Sequence, residues 1–159
     1  WDDRWEEFSQ WAEKGKYYHD QLLDMVDRDT QAFNRIMDAF KMPKNTPEDK
    51  EARHNAIQEA TRNAIQVPFD VMKLCYDSLE VMKGMAETGN PNSVSDAGVG
   101  ALAAVAGVRG AYLNVQINVE GLDDKQYVDK VLKEGQQMIE KALEKEKEIL
   151  KTVDKVIHQ

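Results

Sequence analysis

Apolar residues recur every three or four positions along most of this chain, the period of an α-helix with one covered face. Trp5, Phe8, Ala12, Tyr18, Leu22, Val26, Phe33, Ile36 and Phe40 trace the first such face. They predict a helix from residue 2 or 3 to about residue 40, with Gly15 as a point of bending. Residues 41–45 contain Pro43 and read as a loop. Thr46-Pro47-Glu48-Asp49 then marks a helix start: an N-cap hydroxyl, proline at the first helical position, and acids in the first turn. A stripe of Ala52, Ala56, Ala60, Ala64 and Val67 leads to Pro68, which is expected to kink this helix or to end it and begin another. Val71, Leu74, Cys75, Leu79, Met82 and Met85 carry the pattern on to Gly89, a C-cap.

After a turn at 89–93 comes a helix of another kind, over about 96–118. From Ala97 to Val108 every residue is Ala, Gly, Val or Leu. Apolarity on all sides predicts the buried central helix of the fold. The uncharged run ends at Arg109 and is expected to be too short to cross a membrane. The last helix starts near Asp123 and turns Val128, Val131, Gly135, Met138, Ala142, Ile149, Val153 and Val156 inward, with Glu and Lys outside. With no repeat and no alternation of strand and helix patterns, the expected fold is all-α. It is a multihelical bundle in one domain, residues 1–159, completed by a partner subunit.

Composition narrows the function. A net charge of −8 sets the surface against phosphate backbones, so no nucleic-acid partner is expected. One cysteine, Cys75, allows neither an internal disulfide nor a CxxC motif, which fits the reducing cytoplasm. No signal or lipidation motif is visible, and no membrane association is expected. His19, His54 and His158 lack ligand spacing, so no metal is expected, and a ferritin-like metal bundle built on Glu-x-x-His pairs is set aside. No phosphate-binding glycine loop occurs. Cys75 lies on an apolar stripe and belongs to the core.

Asp29 stands out. It lies three residues after Val26 and four before Phe33, inside the apolar stripe of the first helix. A carboxyl on a buried face loses hydration and holds its proton more tightly, as a general acid requires. A buried acid bonded to a neighbouring helix would look the same. Asn90, Asn92, Ser93, Ser95 and Asp96 gather donors and acceptors at the start of the apolar helix, suited to a polar heterocycle and equally to capping. Lys41 and Lys44 flank the proline loop, where they would steer an anion or simply be solvated. Arg109 would pair with a carboxylate or meet an anionic ligand.

Five stretches in order resemble one family. They are Val26-Asp27-Arg28-Asp29-Thr30-Gln31-Ala32-Phe33; residues 41–50; Ala56-Ile57-Gln58-Glu59-Ala60 followed by Val67-Pro68; Gly89-Asn90-Pro91-Asn92-Ser93-Val94-Ser95-Asp96; and residues 110–118. They resemble the cyclodeaminase/cyclohydrolase family of formiminotransferase-cyclodeaminase. The resemblance implies a dimeric helical bundle acting on tetrahydrofolate one-carbon adducts, with no separate cofactor. It places a catalytic acid at Asp29. It offers Asn90, Asn92, Ser95 and Asp96 for the pteridine and Lys41 and Lys44 for the glutamate tail. The implied reaction turns 5-formimidoyltetrahydrofolate into 5,10-methenyltetrahydrofolate and ammonia, in histidine breakdown. A separate formiminotransferase is an expected partner. Methenyltetrahydrofolate cyclohydrolase is the alternative activity, and a non-catalytic dimerisation scaffold the alternative of another class. The family's glycine-rich segment before the first helix is absent from these residues and is expected upstream.

Overall fold

Four long helices connected by short turns make up the computed structural model, which describes residues 2–158. They are α1 (Trp5–Lys41), α2 (Pro47–Thr88), α3 (Val94–Asn118) and α4 (Lys125–Ile157). Single 3-10 turns occupy Asp2–Arg4, Pro91–Ser93 and Val119–Gly121. There is no strand among the described residues. Consecutive helices run antiparallel, and α2 packs on the other three.

The ends follow local chemistry. The Thr46 hydroxyl accepts from the Asp49 amide at 3.1 Å, while the Asp49 carboxylate accepts from the Thr46 amide at 3.1 Å. This reciprocal box satisfies two amides that the first helical turn of α2 leaves free. The Asp124 carboxylate caps α4 by accepting from the Tyr127 amide at 3.0 Å.

Two expectations change. Of the alternatives at Pro68, ending α2 and starting a new helix is excluded, because the helix continues from Pro47 to Thr88. A proline has no N–H for the carbonyl four residues back, which here is that of buried Ala64. The Asn118 side chain supplies the missing donor, its Nδ2 donating to the Ala64 oxygen at 2.9 Å. The end of α3 thus repairs the break in the middle of α2.

The second correction concerns the centre. α3 is not buried all round; α2 is the helix enclosed by the others. The inner side of α3 packs Val105, Val108 and Val115 against Ile65, Met72 and Leu79 of α2 and Ile149 of α4. Its outer side leaves Val99, Leu102, Leu113 and Ile117 exposed, at 49–71%. Apolarity on every side of a helix does not say which side is covered. Beyond the uncharged run, an 18-residue window within Pro91–Gly121 has a mean hydropathy of 1.2, enough by length and composition to cross a bilayer, and 39% of that window is buried.

α4 follows the expected phase, with Val128, Val131, Gly135, Ala142, Ile149 and Val153 buried. Gly135 lets the Tyr112 ring of α3 lie on α4: an added Cβ would sit 2.5 Å from that ring. The Tyr112 hydroxyl donates to the Leu132 carbonyl at 3.1 Å. On α1 the buried line is Met25, Ala32 and Ala39, at steps of seven, against Ala64 and Val67 of α2. Val26, Phe33 and Phe40 face solvent. Seven residues are almost two full turns, so this line stays on one side of α1.

Replacing Asn118 by alanine should leave the Ala64 carbonyl without its donor and destabilise the fold by about 1–3 kcal/mol. Urea unfolding should show a lower midpoint at an unchanged slope, and an unchanged midpoint would refute the repair.

Candidate active site

α1 and α3 both lie on α2 and leave a groove of about 490 Å³ between them. Pro68 and Val71 of α2 form part of its floor, with Met25 and Val26 on the α1 side and Ala111 on the α3 side. Two glycines shape the α3 wall in different ways. A Cβ on Gly107 would lie 2.7 Å from the Cys75 sulfur, so glycine is what lets α3 come this close to α2. A Cβ on Gly110 would meet nothing within 4 Å, so its absence is open space in the groove.

Three polar side chains line this apolar groove: Asp29 and Thr30 from α1 and Asn114 from α3. Asp29 sits at the border between the buried line of Met25 and Ala32 and the exposed stripe of Val26 and Phe33. It is exposed, not buried as its phase suggested. The stripe that seemed to enclose it is the open one, so this chain alone does not desolvate its carboxylate. Asp29 has no hydrogen bond or ion pair with any described residue. The neighbouring Arg28 guanidinium points to Asp70, 3.9 Å away. The Thr30 hydroxyl donates to the Val26 carbonyl at 3.1 Å, and Asn114 Nδ2 donates to the Gly110 carbonyl at 3.2 Å.

The other expected site residues lie elsewhere. Asn90 and Asp96 line a separate cavity of about 480 Å³ at the start of α3, with Ser93 and the apolar Phe8, Met82 and Met85. The Asn90 side-chain oxygen is already engaged, accepting from the Asn92 amide at 3.0 Å. Asn92 and Ser95 are exposed and do not line this cavity. With a rise of 1.5 Å per residue, Asp96 and Asn114 are about 27 Å apart along α3. The polar turn and Asp29 therefore do not surround one ligand within a single chain. Lys41 and Lys44 are exposed at the opposite end of the bundle, where Lys41 pairs with Asp38 at 3.1 Å.

Sequence reasoning missed Asn114 and Asn118. The signal was present: two asparagines four apart on a helix otherwise rich in small apolar residues share one face. Arg109 is exposed and reaches no carboxylate among the described residues, against the pairing expected for it. The chain does carry one Glu-x-x-His pair, Glu51 and His54. Both are exposed, and His54 lies 3.1 Å from Asp123. Among the described residues no three His, Cys, Asp or Glu side chains gather as a metal site would need. Cys75 is buried, and burial pushes its thiol pKa up, so it is a core residue and not a nucleophile.

The geometry amounts to a helical bundle with an apolar groove and, on its wall, a carboxylate without an ion-pair partner among the described residues. The formiminotransferase-cyclodeaminase family model matches residues 1–155, and the chain belongs to that family. It is 39% identical over 147 residues to methenyltetrahydrofolate cyclohydrolase of Methylorubrum extorquens, covering 92% of this chain and 71% of that protein. It is 38% identical over 129 residues to formimidoyltransferase-cyclodeaminase of Gallus gallus, where the match spans 23% of the longer protein. Formiminotetrahydrofolate cyclodeaminase from Thermotoga maritima has the same fold, with a TM-score of 0.76 at 25% identity, over 96% of this chain and 74% of that one.

The folded protein should react with a thiol-specific chromogenic disulfide far more slowly than the urea-unfolded chain. Equal rates would show that Cys75 is accessible.

Proposed function

We propose that this chain acts on the one-carbon unit carried between N5 and N10 of tetrahydrofolate, as a formimidoyltetrahydrofolate cyclodeaminase. The observation that carries the proposal is Asp29: an unpartnered carboxyl on the wall of an apolar groove, in a family whose members are folate enzymes. Folate N10 attacks the formimidoyl carbon on N5, and the C=N electron pair moves to the terminal nitrogen, which takes a proton. N10 gives up its own proton, leaving a tetrahedral carbon bonded to three nitrogens. A further proton, from the Asp29 carboxyl, lets the terminal C–N bond break and ammonia depart. The product is the 5,10-methenyl cation. Only protons and nitrogen change places, so the reaction calls for no cofactor.

A ligand filling the groove would cover Asp29 and supply the desolvation that the free chain lacks. The glutamate tail would extend toward Lys41 and Lys44, while Asn90, Asn92, Ser95 and Asp96 remain candidates for a second contact region. The formimidoyl substrate would come from a separate formiminotransferase in the cytoplasm, during histidine breakdown. The 39% identity to a methenyltetrahydrofolate cyclohydrolase supports a second reading, in which water adds to the methenyl carbon and the same carboxyl relays the proton.

Asp29→Asn keeps the shape and removes the acid. Ammonia release from 5-formimidoyltetrahydrofolate should fall at least about a hundredfold, the usual contribution of a general acid. Activity unchanged by the substitution would remove Asp29 from the mechanism. Wild-type protein that makes no ammonia but hydrolyses 5,10-methenyltetrahydrofolate would be a cyclohydrolase. If it does neither and binds no folate, the scaffold alternative stands.

The homodimer is also part of this proposal. Val99, Leu102, Leu113 and Ile117 of α3, with Val26 and Phe33 of α1, are a large apolar surface to leave in water. Sedimentation should give about twice the 18.1 kDa of one chain, and a single-chain mass would rule out a second copy on this face.

A further inference from the structure

Opposite Asp29, the groove holds a group to which no role has yet been given. Asn114 stands four residues beyond the Gly110 gap, on the α3 wall. Its amide orientation follows from its neighbour. The Gly110 carbonyl can only accept, and Asn114 contacts it at 3.2 Å, so the Nδ2 end must face the helix backbone. Turning the amide over would set two acceptors against each other. Oδ1 is left with no donor among the described residues, on an exposed side chain that lines the groove. Thr30, beside Asp29, has its hydroxyl proton committed to the Val26 carbonyl at 3.1 Å and can offer the groove only its oxygen.

Asn114 keeps one N–H of its amide free, and the side-chain oxygens of Asp29, Thr30 and Asn114 offer the groove acceptors, so acceptors outnumber donors on its wall. Such a set favours a ligand that brings N–H groups of its own. A formimidoyl unit does so at its terminal nitrogen, both before and after N10 has added. A methenyl carbon brings none.

We propose that Asn114 contacts the substrate, its Oδ1 accepting from the N–H of the nitrogen that departs as ammonia. Asp29 and Asn114 line the same groove, so a nitrogen held by Asn114 shares that space with the Asp29 carboxyl. Asn114 moves no proton. Its hydrogen bond favours a nitrogen-bearing one-carbon unit over a bare methenyl carbon and so separates the two activities of the family. The inference rests on the cyclodeaminase proposal above.

The test compares two substrates on one protein preparation. Asn114→Ala should lower kcat/KM for ammonia release from 5-formimidoyltetrahydrofolate by about ten- to a hundredfold, the effect of losing one hydrogen bond to a polar or charged group. Turnover of 5,10-methenyltetrahydrofolate should change less than about threefold on the same scale. Asn114→Asp, which keeps an acceptor at this position, should restore part of the ammonia release. A merely structural asparagine would depress both substrates together and lower Tm, and the proposal would fall. It would also fall if Asn114→Ala left ammonia release unchanged in a protein whose wild type is active.

Gly110→Val fills the open space of the groove and should reduce turnover of both substrates. Full activity in Gly110→Val would show that the groove is not the site and would end the cyclodeaminase assignment to it. A binding arm keeps the two failures apart. 5-Formimidoyltetrahydrofolate is titrated into Asp29→Asn protein with and without Asn114→Ala. Tight binding weakened about tenfold by the second substitution supports the contact even without turnover, and equal binding overturns it.

Discussion

The close approach of α3 to α2 is the constraint on which the groove depends. α3 gives up its side chains at Gly100 and Gly107, where a Cβ would lie 2.5 Å from the Met82 sulfur and 2.7 Å from the Cys75 sulfur. The flexible Met82 side chain could swing away from a Cβ at Gly100, whereas the short, buried Cys75 side chain has little room to give at Gly107. With those positions empty, Val105, Val108 and Val115 reach the core of Ile65, Met72 and Leu79. The same approach brings Asn118 to the carbonyl that Pro68 leaves unpaired. A proline that would break an isolated helix is thereby accommodated within α2, and its buried ring becomes part of the groove floor.

From this geometry the groove follows. α1 uses its line of small residues, Ala32 and Ala39, to settle on Ala64 and Val67 of α2. α3 occupies the neighbouring face of α2. The space between them is lined by what those two contacts do not use: Val26 and Asp29 on one side, Gly110 and Asn114 on the other. The carboxylate has no cation beside it, because Arg28 is turned toward Asp70. An unpaired carboxylate is tolerated there because it remains in contact with water. Its environment then depends on what enters the groove, as the role proposed for Asp29 requires.

The two polar regions of α3 differ in how far its fold commits them. At its start, Asn90 is occupied with the turn it caps, and Asp96 lies on the wall of an apolar cavity beside Phe8 and Met85. Toward its end, Asn118 is used for structure, while Asn114 turns its nitrogen inward and leaves its oxygen free. Residues of one chemical type, four apart on one helix, thus do different work because different carbonyls lie next to them.

Much of the fold was legible from local pattern. The phase of α4, the Thr46–Asp49 start of α2, the core place of Cys75 and the all-helical class follow from period and capping chemistry, which act within a few residues. Asp29 was legible as a carboxyl in an apolar stripe, and the motifs around it pointed to the family. What periodicity could not decide was which apolar faces find a neighbour. Val26 and Phe33 repeat as regularly as Met25 and Ala32, yet only the second pair meets α2. α3, apolar on every side, carried no phase at all. Its exposed face, the continuity of α2 through Pro68 and the 27 Å between Asp96 and Asn114 arise from contacts between residues far apart in the chain. Helical period depends on the residues within a turn or two, whereas burial depends on which other helix arrives, and tertiary packing alone decides that.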